Sequence, residues 1–180
     1  STAFTVTANT TTVVNVPNTT AYVNSSEVIE DKGIRIQSVL PVVAYSHIHF
    51  GTRSDASLVL PVPTLGKEYY AMCFTQNPSS ATRNSEFIIA AVEDSTTIEI
   101  TPKATTTGGH VAGAAFTVQL NRGQVYQVRA TADLTGSYIR SISPSGSGCK
   151  RIAVFSGSTY AYLGCPTNAN QSGDNLYQQL

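Results

Sequence analysis

The triplet His47-Ile48-His49 is the first spacing in this sequence that could do chemistry. On a β-strand the period of two sends both imidazoles to one face, near enough to share a zinc ion. Asp55, His110 or a remote glutamate would have to supply a third ligand, and no fixed spacing ties any of them to the pair. Two histidines on a polar strand face account for the motif more simply, so no metal site is expected. Nucleophilic chemistry has less support. A serine hydrolase needs a nucleophile elbow and a positioned His–acid pair, whereas Gly157-Ser158-Thr159 and Gly146-Ser147-Gly148 are turn sequences. Cys73, in YYAMCFTQ, lacks the flanking context of a thiol protease and reads as a buried apolar thiol. Glu68, Glu86, Glu93, Asp94 and Glu99 could furnish a glycosidase pair, yet most fall at strand ends or on exposed faces. The chain is therefore expected to be no enzyme and to need no cofactor.

Recognition chemistry is better represented. Nine tyrosines occur with no tryptophan, and aromatic rings on an exposed strand stack sugars or anchor protein partners. Tyr160 and Tyr162 share a strand face. Arg53 lies between the histidines and Asp55, and His110 sits in the Gly/Thr/Ala-rich stretch Lys103–Ala114. The candidate binding residues are thus His47, His49, Arg53, Asp55, His110, Tyr160 and Tyr162, since loops on a rigid scaffold carry recognition in many folds.

Short strands must position these groups. Phe4–Thr7, Thr12–Val16, Ala21–Asn24, Ile34–Ser38, Val42–Ile48, Leu58–Pro61 and Tyr69–Thr75 carry strand signals. Phe87–Val92 is apolar on both faces, which predicts a central strand. Thr96–Thr101 alternates, with Ile98 and Ile100 inward, and Glu93-Asp94-Ser95 between these two runs reads as a tight hairpin loop. Phe116–Leu120 and Gln124–Arg129 flank a turn at Asn121-Arg122-Gly123, with Gly123 at positive φ; Tyr138–Ile142 follows. Cys149 and Cys165 bracket RIAVFSGSTYAYLG, whose halves alternate as a hairpin around Ser156-Gly157-Ser158. That hairpin would bring the two cysteines within disulfide reach. Closing a loop of about 15 residues stabilises by roughly 3 kcal/mol and implies an oxidising compartment. The tail Asp174–Leu180 is the one expected helix, at most two turns, capped by Asp174. The fold class is all-β: an antiparallel, Greek-key-like β-sandwich with at most one short C-terminal helix.

Composition narrows the partners. Of 180 residues only 12% are charged, and eleven acidic against eleven basic side chains leave no net charge. Nucleic acid and anionic lipid both require a basic field that is missing here. No apolar run reaches the roughly 18 residues of a membrane helix.

Six elements in order give a resemblance. They are VVAYSHIHFG (Val42–Gly51), LVLPVPTLGKEYY (Leu58–Tyr70), SEFIIAAVEDSTTIEITP (Ser85–Pro102), FTVQLNRGQVYQV (Phe116–Val128), DLTGSYIRS (Asp133–Ser141) and CKRIAVFSG (Cys149–Gly157). Together they resemble the IgGFc-binding-protein N-terminal domain family, in particular its bacterial, adhesin-like members on secreted and cell-surface proteins. The resemblance implies a binding or adhesion module at the cell surface or outside the cell, embedded among other domains of a longer parent chain. Its partner would be an extracellular protein or glycan, which the resemblance does not identify. It brings no catalytic residues. A structural spacer in a surface fibre is the first alternative, and a carbohydrate-active enzyme or its accessory domain is the second. Residues 41–180 form the resembling β-domain. Residues 1–40 hold strands that either extend the same sandwich or precede it.

Overall fold

The computed structural model describes residues 1–51, 53–74, 83–143, 148–161 and 173–180. Among them eleven strands run in chain order: β1 (Ile29–Glu30), β2 (Ala44–Phe50), β3 (Arg53–Val59), β4 (Glu68–Tyr70), β5 (Ser85–Ala91), β6 (Thr96–Thr101), β7 (Phe116–Leu120), β8 (Val125–Ala130), β9 (Tyr138–Ile142), β10 (Ile152–Ala161) and β11 (Asp174–Gln179). They make a five-stranded sheet ordered β1-β8-β5-β10-β11, a four-stranded sheet ordered β4-β9-β6-β7, and a separate hairpin of β2 and β3. All pairings within the sheets are antiparallel. One apolar cluster joins the two larger sheets: Phe87, Ile89, Tyr126, Val128, Ile152 and Val154 from one, Ile98, Ile100, Leu120 and Ile139 from the other. This is the expected β-sandwich, with alternate residues of each strand turned inward.

The turns at Glu93–Ser95 and Asn121–Gly123 lie where the sequence places them, but both join different partners from those expected. β5 and β6 are not a hairpin across Glu93–Ser95, and β7 and β8 are not one across Asn121–Gly123. Each pair changes sheet at its turn, so that β5 pairs with β8 and β6 with β7. The result is one long ribbon bent at a corner, the device by which strands switch sheets. Side chains and main chain lock the corner. The Ser95 amide donates to Asn121 Oδ1 (2.9 Å) and the Arg122 amide to Asp94 Oδ1 (3.0 Å). Gly123, at φ 83°, donates to Ala91 O at 3.0 Å.

The hairpin expected between Cys149 and Cys165 is also replaced. Ile152–Ala161 is a single strand of ten residues, about 30 Å long at the usual rise, and Ser156-Gly157-Ser158 lies in its middle. The small residues serve contact rather than turning. Ser156 Oγ bonds both the amide and the carbonyl of Met72, and Ser158 Oγ donates to Phe74 O at 2.6 Å. A Cβ on Gly157 would lie 1.8 Å from Leu176 O on β11, so only glycine lets that neighbour approach. Cys149 is an exposed free thiol, and Cys165 lies outside the described residues. The turn that was to draw them together does not exist.

The C-terminal helix is a strand instead. Asp174–Gln179 pairs with β10, and Tyr177 stacks on Phe155 with centroids 5.1 Å apart. An edge offering ladder hydrogen bonds outweighs the slight propensity of a seven-residue helix. None of the strands expected at Phe4–Thr7, Thr12–Val16, Ala21–Asn24 and Ile34–Ser38 forms; the short strand Ile29–Glu30, not expected from sequence, pairs with β8 instead. Ile34 and Ile36 stay exposed, and Asn18–Ala21 makes one helical turn. No helix among the described residues is long and apolar enough to cross a membrane.

Candidate recognition surface

Register in the β2–β3 hairpin sorts its side chains into two faces. Ile48 lies opposite Asp55, His47 opposite Ala56, and His49 opposite Ser54. Arg53, Asp55 and Ser57 therefore turn toward the sandwich, and Tyr45, His47, His49 and Leu58 turn away from it. The inward face fastens the hairpin along β11 without a backbone ladder. Asp55 Oδ2 accepts from the Tyr177 amide (2.7 Å) and Ser57 Oγ from the Gln179 amide (2.8 Å). In return Asp174 Oδ1 accepts from the Ser54 amide (3.0 Å) and Gln179 Oε1 from the Leu60 amide (2.8 Å). Main-chain amides on the open edge of β11 are thus satisfied by side chains. Asp55 serves this structural purpose and faces away from the histidines.

On the outward face the rings of His47 and His49 are 6.4 Å apart, and His47 Nε2 bonds Ser54 Oγ at 3.0 Å. Their shared face is as the strand period required. His110 is not near them: it stacks on Phe116 at 3.5 Å, in the loop between β6 and β7. Among the described residues no three His, Cys, Asp or Glu side chains gather as a metal site. That loop is tied down by bonds such as Thr107 N to Arg129 O and His110 N to Thr106 Oγ1.

Arg53 and Tyr160 do come together, and a third residue joins them. The Arg53 guanidinium carbon lies 5.0 Å from the Tyr160 ring centroid and that of Arg83 only 3.7 Å away. Tyr160 is held by its hydroxyl, which accepts from the Gly173 amide at 3.0 Å. Arg83 has no motif around it. Its placement follows from the register of β5 on β10, where Ser85 opposes Ser158 and so sets residues 83–84 beside 159–160. The Asn84 amide donating to Thr159 Oγ1 at 2.8 Å fixes that approach. Tyr162 lies outside the described residues.

The model of the IgGFc binding protein family matches residues 55–180. The chain belongs to that family. The IgGFc binding match begins inside β3, at the first residue whose side chain closes the β11 edge, and takes in every later strand. β2, with His47 and His49, precedes it, so the resemblance noted for Val42–Gly51 falls outside the matched span. No curated protein and no solved structure matches the chain.

The carboxylates of this IgGFc binding domain are engaged separately. Glu99 pairs with Arg140 Nε (2.7 Å), Glu68 Oε2 accepts from the Tyr138 hydroxyl (3.1 Å), and Glu86 pairs with Arg129 Nε (3.1 Å). Burial raises the Glu86 pKa above the ordinary carboxylate value, while the Arg129 charge and hydrogen bond act against the rise. Burial also pushes the Cys73 thiol up to about 11, so this cysteine stays a thiol at neutral pH.

Proposed function

We propose that this domain is a non-enzymatic extracellular binding or adhesion module of a larger surface or secreted protein, and that it meets its partner on the outward face of the β2–β3 hairpin. The observation that carries this reading is the exposure of that face on a rigid support. Tyr45 is 69% and Leu58 40% exposed, beside the two exposed histidines, while the opposite face is bolted to β11. An aromatic ring, an aliphatic chain and two imidazoles on a fixed ribbon are the amphipathic material of protein-recognition patches. The family description names Fc binding, which makes immunoglobulin Fc the first partner to try. The extracellular reading is supported by the family match and accords with a sequence whose polarity comes from Ser, Thr and Asn rather than from charge.

The test is a binding screen of the purified chain against immobilised Fc and a glycan array. A specific hit, weakened at least about tenfold by Tyr45→Ser together with His47→Ser and His49→Ser at an unchanged unfolding midpoint, supports the module and its site. A blank on folded protein, or a hit indifferent to those three changes, overturns it. A blank leaves the domain as a spacer between other domains of the parent chain.

A further inference from the structure

The outer face of the four-stranded sheet lies on a different sheet from the one that carries the hairpin. Strand register aligns its side chains in rows: Glu68, Arg140 and Glu99 in one, Tyr70, Tyr138 and Thr101 in the next. The alternate residues Ile98, Ile100 and Ile139 are fully buried, so the period of two holds both rows on the outside. The rings of Tyr70 and Tyr138 stand 5.0 Å apart and 30° from parallel, within the spacing that aromatic pairs favour. Tyr70 is 66% exposed. The charged groups around the two rings engage one another. Glu99 pairs with Arg140 Nε at 2.7 Å, and Glu68 Oε2 accepts from the Tyr138 hydroxyl at 3.1 Å. The Arg140 guanidinium carbon lies 5.7 Å from the Tyr138 centroid. An aromatic pair on buried strands, rimmed by polar groups already held in place, is assembled before any ligand arrives.

From this geometry we infer that Tyr70 and Tyr138 are the platform of a second binding site, for a neutral glycan of β-linked, equatorially substituted pyranoses. The two faces of such a sugar ring are flat C–H surfaces, which cover a phenol ring and release water from both. Its rim carries hydroxyls, which match the carboxylates, the guanidinium and the Thr101 hydroxyl in the flanking positions. Two observations select this ligand over others. A stable protein interface needs about 800 Å² from each partner around an apolar core. Of the strand residues in this sheet, only Tyr70 ranks among the exposed large hydrophobic side chains, too little for such a core. An acidic ligand would meet two carboxylates, Glu68 and Glu99, against the single guanidinium of Arg140, a balance that repels it. An uncharged partner with many hydroxyls suits both conditions.

The experiment titrates the full chain by calorimetry with cellohexaose, a chitin hexasaccharide, an oligoglucuronate of equal length and a proline peptide of similar size. Binding of one or both neutral sugars is the expected result. Tyr70→Ser should weaken it about tenfold or more, and Tyr70→Phe, which keeps the ring, by no more than about threefold. A second measurement needs no variant: bound sugar should protect Tyr70 from nitration by tetranitromethane, mapped by mass spectrometry. Tyr22 and Tyr45, 59% and 69% exposed, should react as before. Binding of neither neutral sugar, or equal or tighter binding of the oligoglucuronate or the proline peptide, overturns the inference. So does an equal loss from Tyr70→Phe and Tyr70→Ser, or the absence of protection at Tyr70. Tyr70→Ser silences this site alone, so the hairpin face is judged on partners that still bind that variant, and the two readings fail separately.

Discussion

Arg129→Met should weaken the fold substantially, and in a way that depends on pH. Arg129 lies opposite Glu86 in the β5–β8 register. Its Nε meets Glu86 Oε2 at 3.1 Å, Nη1 donates to Asn24 O at 2.9 Å and Nη2 to Val23 O at 3.3 Å. The two side chains are 15% and 25% exposed. Removing one partner of a buried ion pair costs ~3–5 kcal/mol. Glu86 keeps some contact with water, which lowers the expected loss to about 2–3 kcal/mol at pH 7. The pH dependence follows from the direction of the Glu86 shift. Its folded pKa is raised by burial above the ordinary 4.5, so folding disfavours the charged carboxylate. That penalty is present above the folded pKa and is relieved as pH falls through it toward the unfolded value. Without Arg129 the folded pKa rises further, and the gap between variant and wild type should narrow between pH 7 and pH 5. Urea unfolding at the two pH values measures both. Glu86→Gln added to Arg129→Met should recover part of the loss, since it removes the uncompensated charge. A deficit below about 0.5 kcal/mol at pH 7, within the range of an ordinary surface substitution, would refute the reasoning. So would a deficit that widens on acidification.

Two further outcomes follow from close contacts and from burial. Gly157→Ala must push β11 away, because its Cβ would fall 1.8 Å from the Leu176 carbonyl oxygen; a loss of about 3 kcal/mol, the upper end of overpacking costs, should appear in urea unfolding, and a neutral result would mean that β11 does not sit where it is described. In a Cys165→Ser background, a thiol reagent at pH 8 should modify exposed Cys149 at once and Cys73 only on unfolding, since burial holds Cys73 near 11; simultaneous labelling would contradict the packing of Ala71–Phe74 under β10.

Alternation made the four-stranded sheet legible. Ile98 and Ile100 face inward as their spacing requires, and both are fully buried. Turn chemistry was legible too, down to the positive φ of Gly123. What local sequence does not carry is the partner of a strand. Glu93–Ser95 can close a hairpin or round a corner, and the choice is made by distant pairing, such as Ser85 with Ala130 and Thr96 with Leu120. Small residues mislead in the same way. Ser156-Gly157-Ser158 has turn composition, yet it provides two hydroxyls and a missing Cβ that a neighbouring segment and strand need. Leu176, Tyr177 and Leu180 fit one helical face as well as they fit a strand, and the open edge of β10 settles the matter. At the recognition surface the common face of His47 and His49 follows from period two, whereas Arg83 enters only through the β5–β10 register.

The division of the hairpin between its two faces bears on how such a domain keeps an exposed ribbon without becoming a template for association. A bare β11 would offer unpaired amides at Tyr177 and Gln179, the kind of edge that recruits another strand. Asp55 and Ser57 cap those amides with side chains, which protects the edge without extending the five-stranded sheet. The family match starts at Asp55, the first of those two caps, so it spans the residues that close this edge. β2 and its outward residues lie outside that span. They are carried by β3 and contribute little to the core, so their side chains are free to be set by a partner. Arg53 stands at the junction, on the hairpin but against Tyr160 of the sandwich.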